Sequence, residues 1–301
     1  MNDATMLHQG WMQEFRHDQV KTMTPLVRRL TAPNPGYMTG PGTNTYLVGH
    51  REVAVIDPGI VHQEHIARLV EATGGRLRWI LATHTHPDHS PAAVPLAEQS
   101  GAAIMGHGGV LRWHHDVTFQ PHELLADGDV LSTDEFTLQA LYTPGHASNH
   151  LCYLLHEEQI LLAGDQIMEG TTVVIGPPDG DMADYLASLE RLKQEPIATI
   201  APAHGRFIDN PQREFNRIIT HRLERERQVY DALLQRGSAR IMDIVAQLYT
   251  HLPEALRLPA AFSVYAHLLK LRQDGLAWGK GFEDIWSLPS ESSLPSPDRS
   301  S

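Results

Sequence analysis

The chain has 301 residues, 42% hydrophobic and 20% charged, so one large domain, alone or with a smaller partner, can bury a core and global disorder is not expected. A formal net charge of −12 argues against a generic nucleic-acid binder. No stretch approaches the roughly 18 apolar residues of a membrane span, no basic start leads into an apolar run, and the single cysteine, Cys152, allows no intrachain disulfide, so a cytoplasmic location is the expectation.

Taken in chain order, NTYLVGH and REVAVIDPG read as two strands joined at a tight turn near Gly49 and His50. QEHIARLVEATGG places Ile66, Leu69 and Val70 at helical spacing and stops at Gly74-Gly75. LRWILATH is a buried strand, and Ser90-Pro91 opens a second helix with Ser90 at the N-cap. AAIMG, FTLQALYTPGH, HLCYLL and QILLAGD are short strands. MADYLASLERLKQE is an amphipathic helix with Tyr185, Leu186, Leu189 and Leu192 on one face, and IATIAPAHG is a further strand. The pattern predicts an α/β or α+β fold, two sheets with helices on their outer faces.

After Phe207 the texture changes. REFNRIITHRLERERQVYDALLQRG is one long helix ending at Gly237, SARIMDIVAQLY a second with Ser238 as N-cap, and AAFSVYAHLLKLRQDG a third. LAWGKGFEDIWSL then reads as two short strands around Gly279-Lys280-Gly281. Three helices and a hairpin make a small winged-helix-like domain. The chain therefore divides into residues 1–215, a winged-helix-like domain at 216–288, and a Ser/Pro-rich disordered tail at 289–301. The acidity belongs to the first part: residues 1–215 carry 13 Lys+Arg against 26 Asp+Glu, residues 216–290 carry 10 against 8.

Metal-ligand side chains collect where apolar strands end. VAVIDPG delivers Asp57; WILATHTHPDHS delivers His84, His86, Asp88 and His89; LYTPGHASNH delivers His146; ILLAGDQ delivers Asp165; ATIAPAHG delivers His204. Strand ends feeding loops let a rigid scaffold hold polar groups in an open cleft. Imidazole with carboxylate suits zinc, manganese or iron better than magnesium or calcium. His84 and His86, two apart in an extended segment, point the same way and share one metal that His146 completes. Asp88 and His89, past a proline turn, reach a second metal that His204 completes, and Asp165 bridges the two. With a bridging hydroxide, charges of +4 from two divalent metals meet −3 from Asp88, Asp165 and the hydroxide, a residue of about +1 that favours an anionic or oxyanion-forming substrate.

At these residues the sequence resembles the metallo-β-lactamase superfamily, whose signature is His-x-His-x-Asp-His followed by a His, a bridging Asp and a last His. The resemblance implies an αββα sandwich and a two-metal site, usually zinc, with His84, His86, Asp88, His89, His146, Asp165 and His204 as ligands. Asp57 would then support the metal-binding loop. NPGYMTGPGTNTYLVG, TPGHASNHLCYLL, GPPDGDMADYLASLERL and the winged-helix-like C-terminus resemble the β-lactamase-like protein 2 branch, which includes endoribonucleases acting on single-stranded RNA. Glyoxalase II thioesterases are the next nearest. A mononuclear iron persulfide dioxygenase shares the ligand types.

The implied chemistry is metal-assisted hydrolysis by a bridging hydroxide, with Asp88 and Asp57 as the carboxylates put forward for catalysis. The substrate is single-stranded RNA or a small ester or thioester. A reading from another class is a nucleic-acid-binding regulator whose first domain senses metal; a complete set with a bridging Asp argues against it. Authentic β-lactam hydrolysis is a third reading, though such enzymes are typically exported. Asn149 and His150, just past His146, are candidate substrate contacts. PNPGYMTGPGTNTY reads as a turn-rich entry to the first hairpin, His107, His114 and His115 as surface or rim residues, and Cys152, Trp278 and Trp286 as core. Because the third C-terminal helix offers only His267, Lys270 and Arg272 as cations, specific duplex recognition is not expected, and the module covers one side of the cleft or supports a homodimer.

Overall fold

A computed structural model describes residues 14–108 and 114–289; the tail expected to be disordered lies, but for Pro289, outside the described residues. Strands β1 (Lys21–Thr22), β2 (Val27–Thr31), β3 (Asn44–Val48), β4 (Val53–Ile56), β5 (Leu77–Leu81), β6 (Ala103–Gly106) and β7 (Glu123–Leu124) form one sheet in that order. Pairing is antiparallel from β1 to β4 and parallel from β4 to β7. Strands β8 (Val130–Ser132), β9 (Thr137–Tyr142), β10 (Leu151–Leu155), β11 (Ile160–Gly164) and β12 (Thr199–Pro202) form the second sheet, in the order β12-β11-β10-β9-β8. Only its β11–β12 pair is parallel.

Successive strand side chains point to opposite faces, so the apolar runs serve two cores at once. Tyr46 and Val48 of β3 meet Leu151, Tyr153 and Leu155 of β10 between the sheets. Leu47, Val53 and Val55 face outward onto helices α1 (Gln63–Thr73) and α2 (Ala93–Ser100), through Ile66, Leu69 and Leu96. Cys152, Leu154 and Leu161 face outward from the second sheet onto α3 (Met182–Leu192) and α4 (Pro211–Arg236), through Tyr185, Leu189, Phe215 and Ile218. This is the αββα sandwich that the sequence predicts. Cys152 is fully buried and its thiol is pushed up to about 12 by burial, as an inert core residue should be.

Local chemistry sets the element ends. Gly74 closes α1 in the left-handed region at φ 55. Asp181 caps α3, accepting from Ala183 and Asp184 N–H. Helix α2 begins at Ala93 rather than at the expected Ser90 cap, because the Ser90 hydroxyl donates to Asp116 Oδ2 at 2.7 Å. Strands β1, β2, β7 and β8 were not anticipated. Two arginines hide the period of β2, and Arg29 is nonetheless buried, with its guanidinium 4.3 Å from the Phe15 ring centre.

Helix α4 runs unbroken through the expected boundary at 215/216: Phe215 and Ile218 belong to the sandwich, Val229, Ala232 and Leu233 to a C-terminal core. That core gathers α5 (Ile241–Leu248) and α6 (Glu254–Gln273) around a fully buried Trp286. Ser238 is no N-cap; it sits in β13 (Ser238–Arg240), paired with β14 (Ile285–Ser287). Trp278 bridges to Ser287 but is 54% exposed, so its expected core role is corrected. The expected candidate cations of α6 are spent internally: His267 is buried, Lys270 pairs with Glu226 and Asp274, and Arg272 donates to the Gly279 carbonyl; Arg257 of the same helix pairs with Glu254. Among the described residues no helix is long and apolar enough to cross a membrane.

Candidate metal centre

Backbone bonds draw the strand ends of both sheets to one rim of the sandwich. Leu151 N–H donates to Thr83 O at 2.7 Å, Asn44 N–H to Ala203 O at 2.7 Å, and Ala203 N–H to Gly164 O at 2.9 Å. The segments after β5, β9, β11 and β12 therefore open onto a common space. Gly164, at φ 50, permits the strands to approach closely here, since a Cβ there would lie 2.5 Å from Thr83 Oγ1 and 2.8 Å from His150 Nε2.

The seven expected ligands meet there. His84 Nε2 is 2.9 Å, and His146 Nε2 3.1 Å, from His86 Nδ1. Asp88 Oδ2 lies 3.4 Å from His89 Nε2 and 3.3 Å from His204 Nε2. Asp165 spans the two groups: its Oδ1 is 3.3 Å from His204 Nε2 and 3.6 Å from His89 Nε2, and its Oδ2 is 3.6 Å from His146 Nε2. A tetrahedral shell with bonds of about 2.1 Å has ligand–ligand edges of about 3.4 Å. The separations, 2.9 to 3.6 Å, lie around that edge length, and Asp165 stands between the two groups. His89 Nε2 and Asp165 Oδ1 are buried with no hydrogen-bond partner among the described residues, an arrangement that is costly unless a cation completes it. The residues fit divalent metal.

The electrostatics agree. Burial holds His84, His86 and His146 below the ordinary imidazole value, so these rings are neutral, the ligating form. Burial also opposes charge on His89 and His204, but the carboxylates around them outweigh it and raise both. Asp88 and Asp165 lie below the usual carboxylate range, because His89 and His204 more than offset their burial. The carboxylates around His89 and His204 thus favour positive charge at the second group, as a bound cation would supply.

Other expectations fare differently. Asp57 ends β4 at φ 51 and does not line the cleft. Its carboxylate accepts from Thr83 N–H at 2.7 Å, is bonded by Thr83 Oγ1, and sits 3.0 Å from His89 Nδ1, so it positions the loop rather than touching reactants. Asn149 and His150 do not line the cleft either, contrary to their expected contact with substrate. Asn149 Nδ2 donates to Thr85 Oγ1 at 2.8 Å, while the buried His150 stacks on His84 with centroids 5.0 Å apart and takes the Asp165 N–H at 3.3 Å.

The first loop is more than the turn-rich entry expected from its glycines and prolines. Met38 and Thr39 line the cleft, and Thr43 Oγ1 donates to Asp88 Oδ2 at 3.2 Å. His114 lines the cleft, in keeping with the expected rim position, whereas His115 is buried against Asp179 and is neither a surface nor a rim residue. Asp179 had no signal beyond the turn-like GPPDGD. The cleft, about 330 Å³, is lined besides the expected ligands by Met38, Met168, Val174, Pro177 and, from α6, Phe262. No Lys or Arg lines it among the described residues.

Comparison with known proteins follows the same lines. Residues 38–204 match the metallo-beta-lactamase superfamily, and residues 241–286 match the beta-lactamase associated winged helix domain. A Beta-lactamase-like protein 2 homolog of Caenorhabditis elegans is 30% identical over 88% of this chain and 90% of that protein. An Atrochrysone carboxyl ACP thioesterase of Aspergillus fumigatus is 33% identical over 80% of this chain and 77% of that protein. The crystal structure of a beta-lactamase domain protein from Burkholderia ambifaria shares the fold with a TM-score of 0.77 at 20% identity, covering 91% of this chain and 94% of that one.

Proposed function

The chain belongs to the metallo-beta-lactamase superfamily, and from that premise we propose that it is a two-metal hydrolase cleaving thioesters of apolar acyl groups. That it is a metal-dependent hydrolase follows from the family and from relatives named as hydrolases. The number of metals and the substrate are our reading. Zinc is the metal we favour for the imidazole-rich set; manganese or iron suit it too.

The observation that carries the substrate class is the cleft wall. Met38, Met168, Val174, Pro177 and Phe262 offer an acyl chain an apolar surface, and among the described residues no lining Lys or Arg offers a phosphate a partner. A single-stranded nucleic acid wants a positively charged groove tracking its backbone. Arg206, in the adjoining groove, is already paired with Glu14 and Glu169. RNA, favoured by the branch resemblance alone, is therefore the less supported substrate. The thioesterase relative points the same way.

His84, His86 and His146 would hold one metal, Asp88, His89 and His204 the other, and Asp165 both. Metal bound there would supply a nucleophilic water at neutral pH and would polarise the thioester carbonyl oxygen. Asp88 faces the cleft with Thr43 bonded to its Oδ2, which leaves Oδ1 to take the proton of the attacking water and return it to the leaving thiolate. Phe262 and Met168 exclude bulk water from the acyl side.

The test offers zinc-loaded protein a series of acyl thioesters of increasing chain length and, separately, a labelled single-stranded RNA, with His84→Ala as control. Thioester turnover with kcat/KM rising with chain length is expected. RNA cleavage without thioester turnover would replace this reading with a phosphodiesterase.

A further inference from the structure

A third cluster of ligand-type side chains lies outside the two groups, against the far side of His86. It consists of His114, His115 and Asp179, and one ligating atom from each, with one from His86, falls within 4.8 Å of the others. Asp179 Oδ2 is 2.9 Å from His115 Nε2 and 3.6 Å from His114 Nε2. The His86 ring centre is 5.2 Å from that of His114 and 5.3 Å from that of His115. The Asp179 separations span the same range as the ligand edges of the main centre.

The outer contacts are those of a supported metal site. The two oxygens of Asp179 are used differently: Oδ1 takes the Ser148 hydroxyl at 2.5 Å and the Ser148 N–H at 3.3 Å, while Oδ2 faces the histidines. His115 is fixed from behind, with Nδ1 2.5 Å from Thr85 Oγ1, and this turns Nε2 toward Asp179. His114 lines the cleft, so an ion can enter from solvent.

We propose that His114, His115 and Asp179 form an accessory site for a divalent first-row cation, beside His86 on the wall of the cleft. Two imidazoles and one carboxylate suit zinc, cobalt or nickel. On binding, His115 Nε2 gives its lone pair to the cation, and the ring proton resides on Nδ1, donated to Thr85 Oγ1. No redox change or net loss of a proton from His115 is required. The proposal does not rest on the two-metal reading.

The experiment is metal stoichiometry at buffered free zinc, measured by equilibrium dialysis and elemental analysis on the full chain, wild type against His114→Gln. Asp179→Asn serves as a second variant, with thermal unfolding as a check on folding. Wild type should bind one equivalent more than either variant, and the weakest binding phase should be the one lost. Equal saturation of wild type and a folded His114→Gln protein would overturn the accessory site. The absolute counts separate the two ideas. Two equivalents in both proteins leaves the two-metal centre standing without the accessory site; two in wild type and one in the variant keeps the accessory site and removes the two-metal centre.

Discussion

Asp57 Oδ2 lies 3.0 Å from His89 Nδ1, and both side chains are withdrawn from solvent. A buried carboxylate thus fixes the ring of a ligand whose other nitrogen faces the site. Asp57→Asn removes the charge but tolerates the left-handed backbone at φ 51. Metal affinity should fall about 10–100-fold, with the fold retained. Competition with a chromophoric chelator measures it; unchanged affinity would show that Asp57 serves folding alone.

Among the described residues Asp165 is the one side chain with an oxygen toward each group of expected ligands. Asp165→Ala should abolish hydrolysis and lower metal content together. An active, metal-replete variant would mean that no bridging carboxylate is needed. Elemental analysis beside a turnover assay decides it.

His65 and His267 are buried histidines outside the ligand set, each held down to about 4 mainly by burial. Their folded values lie below the unfolded value of about 6.5, so the unfolded chain binds protons first as pH falls. The stability they protect is complete above about pH 6.5 and is lost as pH drops toward 4. The full loss is of order 3 kcal/mol for each. His267→Leu should flatten the fall in urea-unfolding free energy of metal-free protein across that window. An equally steep fall in the variant would refute the assignment.

Arg222 of α4 is buried and donates to the Val173 carbonyl, and the next carbonyl, Val174 O, lies 2.8 Å from His146 Nδ1. A helix shared with the C-terminal domain thereby steadies a ligand. Arg222→Met should weaken the metal held by His146 about tenfold or more, and Arg222→Lys should restore part of it. Equal affinity in all three proteins, by the same chelator competition, would confine Arg222 to packing.

The candidate ligand cluster is legible in the amino-acid sequence because it is written locally. His84, His86, Asp88 and His89 follow one strand within a single turn, and His146, Asp165 and His204 each close an apolar run, so strand geometry alone aims them at one rim. The layered fold was legible for the same reason, since doubly apolar strands must be covered on both faces. The cleft wall was not. Asp179 meets His115 across 64 positions, Phe262 arrives from α6 of the other domain, and Asn149 and His150 turn behind the ligands although they neighbour His146 in the chain. Such contacts have no period and no spacing. They are fixed by how sheets and helices pack, so only the tertiary structure decided that Asp88 faces the cleft while Asp57 stands behind it, and that Met38, Met168, Val174, Pro177 and Phe262 join the polar side chains in lining that cleft.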